Sequence, residues 1–326
     1  MNVPELPRRQ NLSVCFAHVA YRLGERFAPR KTGMRFFELR SFEELAARIG
    51  EADVLVVSGL WRNELIDRAD KLRFIQSISA GTDQYDREAL RTRGIRLASA
   101  QGINATAVAE HAMALMLALA RQLPQARDNQ ARRRWRPMIS DPAAREDEIS
   151  GKTLLIVGLG RIGSTLARLA RSFGMRVLAI KRNPAAAADA ADVVAGQDRL
   201  LELLAQADFV ALTCPLTPAT ELLFGAAAFA AMKPAAFLVN VARGRVVDEP
   251  ALIGALERGR IAGAALDCFW DEPLPVDSPL WTWPTVLITP HSAGETRRYE
   301  DNVIDLLLEN LERLWRGESA LKNQVV

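Results

Sequence analysis

The stretch TLLIVGLGRIG, residues 153–163, decides the fold. An unbroken run from Thr153 to Val157 leads straight into Gly158, Gly160 and Gly163. Fully buried parallel strands read as continuous apolar runs of this kind rather than as alternations. Each glycine has its own task. Gly158 allows the tight turn, Gly160 lets the main chain approach a pyrophosphate, and Gly163 lets the next helix pack against the strand. That helix turns Leu166, Leu169 and Ala170 inward, and its N-terminus offers unpaired N–H groups to an anion. The pattern GxGxxG also occurs in turns that bind nothing, so a bare strand–helix turn is the alternative. The strand before it and the helix after it are the context a dinucleotide site requires.

Working outward, the stretch opens an alternating series. Strands are expected at Leu154–Val157, Val177–Ile180, Phe209–Thr213, Phe237–Val241, Ala264–Leu266 and Val286–Ile288. A similar series fills the first hundred residues, at Val14–Val19, Arg35–Leu39, Val54–Ser58, Phe74–Ile78 and Ile95–Ala98. Between these runs lies helical spacing, such as Phe42, Leu45, Ala46 and Ile49. Alternating strand and helix predicts parallel sheets covered on both faces, the doubly wound α/β class. A long helix is expected from Asn104 to Arg121, with Val108, Ala112, Leu115, Met116 and Leu119 on one face. Pro124 interrupts it, and the Arg-, Ala- and Asp-rich stretch from Gln125 to Ile149 reads as an arm or loop. A last helix carries Ile304, Leu307, Leu308, Leu311 and Trp315. Residues 185–191 are alanine-rich over too short a span to count as low complexity.

The chain has 326 residues, which points to about two domains. Lys and Arg number 42 against 39 Asp and Glu, a net charge of +3, which argues against a nucleic-acid binder driven by bulk charge. Hydrophobic residues make up 49%, which sets aside disorder. Cys15, Cys214 and Cys268 are odd in number and far apart, so neither a disulfide framework nor a zinc site is expected. His18, His111 and His291 are equally scattered. The start, MNVPELPRRQ, lacks the apolar run of a secretory signal, and the longest apolar stretch, Ala112 to Ala120, is short of a membrane span. A cytoplasmic protein with no membrane and no metal is the expectation.

The end of the second strand of the series bears on the cofactor. An NAD site usually places an acid there to bind the ribose 2′-hydroxyl. Here Lys181 and Arg182 stand in its place, and cations attract a 2′-phosphate. NADP(H) is therefore favoured over NAD(H); a solvated cation pair is the alternative. Three further segments end predicted strands, where open α/β sheets place ligands. They are NVARG (240–244), with Val247 and Asp248 soon after; ALDCFWDEPL (265–274); and ITPHSAG (288–294). They carry Arg243, Glu272 and His291.

With these segments in order, the chain resembles the D-isomer-specific 2-hydroxyacid dehydrogenase family over essentially its whole length. SAGTD (79–83) and the Ala109-Glu110-His111 run belong to the same resemblance. It implies a discontinuous, flavodoxin-like substrate domain from residues 1–102 and 293–326, a Rossmann dinucleotide-binding domain from 103–292, and a cleft between them. It further implies that a small 2-keto acid is reduced to the D-2-hydroxy acid. Arg243 would hold the substrate's carboxylate and carbonyl with its planar fork of donors. The backbone N–H groups of Ala80 and Gly81 would receive the carboxylate. His291 would give a proton to the carbonyl oxygen, a task suited to imidazole. Glu272 would hold the ring and favour its protonated form by opposite charge. Less directly, the resemblance places Arg161, Ile162, Cys214, Pro215, Asp267 and Val108 along the cofactor.

Each residue has a plainer reading. Arg243 can cap a helix or pair with Asp248, Glu272 can be a loop charge, and His291 can end a strand. His18 and His111 read as structural, Cys214 and Cys268 as packing thiols. In glyoxylate and hydroxypyruvate reductases of the family an arm crosses a homodimer and brings a Trp near the partner's substrate. Trp135, in the run RRRWRP (132–137), looks similar; an arm residue packing at the dimer interface is the alternative. Trp61, Tyr85 and Trp135 are candidate pocket residues. A formate- or phosphite-type dehydrogenase of the same family, and a dinucleotide-sensing corepressor without turnover, are the competing functions. The intact Arg243, Glu272 and His291 set favours catalysis.

Overall fold

Both alternating series pair as parallel sheets in the computed structural model, which describes residues 6–184 and 191–326. The alanine-rich positions 185–190 lie outside the described residues. The chain divides into two units, Met1–Asn104 with Thr296–Val326, and Ala105–Glu295.

The first unit holds β1 (Ser13–Ala17), β2 (Arg35–Leu39), β3 (Val54–Val57), β4 (Phe74–Ser77) and β5 (Arg96–Ala98), in the order β2-β1-β3-β4-β5. This is the flavodoxin-like order. Its helices are α1 (Leu23–Phe27), α2 (Phe42–Arg48), α3 (Arg87–Thr92) and, from the far end of the chain, α10 (Tyr299–Trp315). Side chains alternate across a strand, so each strand feeds two cores. On one face Leu45, Trp61, Leu65 and Leu90 pack together. On the other, Phe16, Val54 and Phe74 meet Val303, Ile304 and Leu307 of α10. Each such burial stabilises by roughly 1.5–3 kcal/mol. A satisfied polar pair adds register: Asn310 Nδ2, fully buried, donates to Gln76 Oε1 at 3.0 Å.

Two expectations need correction here. The first strand stops at Ala17 rather than Val19, because His18 Nδ1 accepts from the Ala20 and Tyr21 amides and turns the chain. Trp61 and Tyr85 do not line a pocket. They are 1% and 4% exposed within the core, and the Tyr85 hydroxyl donates to the Val57 carbonyl at 3.0 Å.

The second unit holds β6 (Thr153–Val157), β7 (Arg176–Ile180), β8 (Val193–Ala195), β9 (Phe209–Leu212), β10 (Phe237–Asn240), β11 (Gly263–Leu266) and β12 (Val286–Ile288). The order is β12-β11-β10-β9-β6-β7-β8, a doubly wound sheet whose strand order reverses between β6 and β9. Its helices are α4 (Ala105–Ala120), α5 (Leu123–Ala131), α6 (Arg161–Ser172), α7 (Leu200–Leu204), α8 (Ala226–Ala231) and α9 (Glu249–Glu257). The three-residue β8 was not among the strands expected from the sequence.

The stretch after Pro124 also differs from expectation, since it opens with a helix. Gln122 takes a left-handed φ of 50° and breaks α4 from α5. Pro124 then sits in the first turn of α5, where its missing N–H costs nothing. The rest of the stretch is irregular apart from a single turn at Pro142–Ala144. Among the described residues no helix is long and apolar enough to cross a membrane.

Candidate functional site

The turn after β6 lies at the point where the strand order reverses, which is where open sheets bind ligands. Gly158 has φ +107°, and a Cβ there would fall 2.6 Å from Cys214 Cα and N. A Cβ on Gly163 would fall 2.5 Å from the Gly158 carbonyl oxygen. Packing within the unit thus explains both glycines. The Thr213 hydroxyl donates to that same carbonyl at 2.8 Å and fixes the turn. Gly160 is different. Its φ of −93° suits any residue, and a Cβ there would meet nothing within 4 Å. The unit leaves open space at this glycine, at the head of α6, whose first amides lack intrahelical partners. The residues present therefore fit the pyrophosphate of a dinucleotide.

The other expected cofactor residues are spread over several elements of the second unit. Arg161 is exposed and Ile162 half-buried at the start of α6. Lys181 and Arg182 follow β7 directly, and neither makes an ion pair among the described residues. Cys214 is buried, with its thiol pushed up to about 11 by burial, while Pro215 is exposed. Val108 is buried on α4 in the core.

Arg243, Glu272 and His291 follow β10, β11 and β12, three neighbouring strands in parallel register. The loop after β10 is shaped by buried Asn240. Its Oδ1 accepts from the Ala242 amide at 3.0 Å, and its Nδ2 donates to the Arg243 carbonyl at 3.1 Å. Arg243 is half-buried, and its Nη1 donates to the Ala242 carbonyl at 2.7 Å. It does not pair with Asp248, whose carboxylate caps α9 at the Ala251 amide. Gly244 allows the next loop to come close, since a Cβ there would lie 1.9 Å from the Phe269 carbonyl carbon. Phe269 N in turn donates to Glu272 Oε1 at 3.0 Å. His291 Nδ1–H donates to Glu272 Oε2 at 2.7 Å. That bond leaves Nε2 with no partner among the described residues, and the ring half-exposed.

His291 takes φ +53°, an unusual conformation for a non-glycine residue. Asp267, 2% exposed, holds this turn. It accepts from the Thr289 hydroxyl at 2.6 Å, the Ser292 amide at 3.0 Å and the Ala293 amide at 3.1 Å. A carboxylate has about four lone-pair sites, so one remains for another donor.

Three expected residues lie on other segments of the chain. Ala80 and Gly81 lie in the first unit after β4, and their amides have no partner among the described residues. Trp135 is 97% exposed beyond α5, with Met138 nearby at 96%. Asn240, Thr213, His111 and Thr289 were given no functional role from the sequence, although Asn240, His111 and Thr289 stand inside segments quoted for the resemblance.

The model of the D-isomer-specific 2-hydroxyacid dehydrogenase NAD-binding domain matches residues 113–293. D-3-phosphoglycerate dehydrogenase of Methanocaldococcus jannaschii is 38% identical over 282 residues, covering 85% of this chain. This chain spans about half, 52%, of that protein's length. Glyoxylate/hydroxypyruvate reductase B of Yersinia pestis is 40% identical over 288 residues, 87% of this chain and 88% of that protein. Among solved structures, an NADPH-dependent glyoxylate/hydroxypyruvate reductase of Sinorhizobium meliloti, in complex with NADP and malonate, superposes with a TM-score of 0.79. It is 26% identical and covers 97% of each chain.

Proposed function

The chain belongs to the D-isomer-specific 2-hydroxyacid dehydrogenase family, and on that premise we propose that it reduces a small 2-keto acid, of the glyoxylate or hydroxypyruvate class, to the D-2-hydroxy acid with NADPH. The observation that carries this reading is the Glu272–His291 bond of 2.7 Å, which leaves His291 Nε2 as the outward proton donor. Bound at the turn of Gly158, Gly160 and Gly163, the dinucleotide supplies the hydride. Lys181 and Arg182 favour its 2′-phosphate, and the remaining lone pair of Asp267 suits a carboxamide N–H.

Arg243 draws electron density from the keto oxygen and holds the substrate carboxylate, which makes the carbonyl carbon a better acceptor. His291 Nε2 delivers a proton to that oxygen as the alkoxide forms, and the Glu272 carboxylate offsets the charge on the ring before transfer. In the oxidative direction His291 takes the proton back. Within the first unit, the unpartnered amides of Ala80 and Gly81 are two further donors suited to a carboxylate.

The exposed Trp135 and Met138 support a homodimer in which a second copy covers the arm. Light scattering on the wild type and on Trp135→Ala tests this point, and a wild-type monomer at micromolar concentration counts against it. The reaction itself is tested by a panel of 2-keto acids run with NADPH and NADH in parallel. Turnover of glyoxylate or hydroxypyruvate with NADPH is expected. No turnover of any keto acid defeats the reading, and equal or better rates with NADH defeat the role given to Lys181 and Arg182.

A further inference from the structure

His111 lies on α4, far in sequence from Asp267 and Thr289, yet its Nε2 is 3.0 Å from the Thr289 hydroxyl and 3.6 Å from Asp267 Oδ1. The direction of these bonds follows from proton counting. An ionised carboxylate only accepts, so the single hydroxyl proton of Thr289 goes to Asp267 at 2.6 Å. The hydroxyl must then accept from His111, which fixes the proton on Nε2. The series therefore runs from His111 Nε2–H to Thr289 Oγ1, and from Thr289 Oγ1–H to Asp267 Oδ1.

Its position explains its use. Thr289 stands two residues before His291, and its carbonyl accepts from the His291 amide at 3.0 Å. Asp267 grips the other side of the turn through the Ser292 and Ala293 amides. His291 is thus clamped from both sides at a left-handed φ of 53° that an ordinary loop would not keep. Glu272 orients the ring, while the His111 series holds the backbone that carries it.

We propose that His111 is a positioning residue for His291, acting through the Thr289 hydroxyl and Asp267. The inference rests on the reading of His291 as the proton donor. A donor displaced by a fraction of an ångström loses rate without losing substrate affinity, so the expected signature is a fall in kcat at constant KM.

The test uses the 326-residue chain and five variants. His111→Phe and Thr289→Val remove the series while keeping side-chain shape. His111→Gln and Thr289→Ser keep a donor and a hydroxyl. His111→Phe and Thr289→Val should each lower kcat for 2-keto acid reduction about 10-fold, with KM changed less than about twofold. The double variant should be no worse than Thr289→Val alone, because both act through one series. His111→Gln and Thr289→Ser should recover most of the rate. A wild-type kcat in His111→Phe overturns the proposal. So do losses that multiply in the double variant, or a fall that Gln does not rescue.

Amide hydrogen exchange at residues 291–293 reads the clamp without turnover. Faster exchange is expected in Thr289→Val and His111→Phe, and unchanged exchange overturns the proposal. If the wild type turns over no 2-keto acid, the proposed reaction fails, and hydrogen exchange still decides whether His111 holds the turn.

Discussion

Replacing Gly160 by Ala separates a glycine kept for the fold from one kept for a ligand. At Gly160 an added Cβ meets nothing within 4 Å, and the backbone φ of −93° is open to alanine. The stability terms are small and opposed. Alanine lowers the entropy of the unfolded chain by about 0.4–1 kcal/mol but is a poorer helix N-cap than glycine by roughly 0.5–1 kcal/mol, so the net change is about 0.5 kcal/mol or less. At Gly158 the same substitution forces alanine to φ +107° and sets its Cβ 2.6 Å from backbone atoms of Cys214. Strain of about 1–3 kcal/mol and overpacking of a similar size add to roughly 4 kcal/mol of destabilisation. The two variants should therefore part in urea unfolding without nucleotide, with Gly160→Ala close to the wild type and Gly158→Ala far below it. In fluorescence titration with NADPH the order changes. A methyl group at Gly160 pushes the pyrophosphate off the amides, and losing one charge-assisted bond of about 2–3 kcal/mol weakens binding about 30- to 150-fold. Wild-type NADPH affinity in Gly160→Ala refutes the assignment of this space to the phosphate. A loss of stability matching that of Gly158→Ala refutes the packing argument.

Four other substitutions or conditions test the remaining parts. Glu272→Gln keeps an acceptor for the Phe269 amide but removes the charge facing His291, so kcat should fall about 10- to 100-fold with dinucleotide affinity unchanged, as read by steady-state kinetics and titration. The double variant Lys181→Ala/Arg182→Ala should raise KM for NADPH about 100-fold and leave KM for NADH within about twofold, and a shift in both cofactors alike contradicts a 2′-phosphate site. Gly244→Ala, whose Cβ would lie 1.9 Å from the Phe269 carbonyl carbon, should lower stability by about 3 kcal/mol in urea and abolish turnover. Burial raises the Cys214 thiol from its ordinary 9.0 to about 11 and Cys15 to about 12, so the folded state keeps protons that the unfolded chain gives up. Stability should hold below pH 9 and decline as pH rises from there toward 11, and a flat unfolding midpoint over that window rules this out.

What the sequence disclosed depended on how local each signal was. The glycine turn was legible because its strand, turn and helix are contiguous, and the buried strands of the second unit were legible because they are unbroken apolar runs. The flavodoxin-like order of the first sheet came from the family resemblance rather than from any local signal. Other features have no local signature. Gln122 breaks α4 from α5 through its φ, which no residue pattern announces, so the helix containing Pro124 read as an arm. Trp61 and Tyr85 looked like pocket residues because aromatic side chains serve both pockets and cores, and only tertiary packing separates the two. His111 and Thr289 meet across 178 residues, so their bond is invisible to any window along the chain.

The helix α10, which covers the face of Phe16, Val54 and Phe74, has a consequence for biosynthesis. The ribosome delivers those sheet residues first and their cover only after all of Ala105–Glu295 has emerged. At about 5–20 residues per second that delay is roughly 10–40 s. Throughout it the nascent N-terminal sheet presents a greasy, unshielded side, so chaperone capture is expected during translation and should end when Asn310 reaches Gln76.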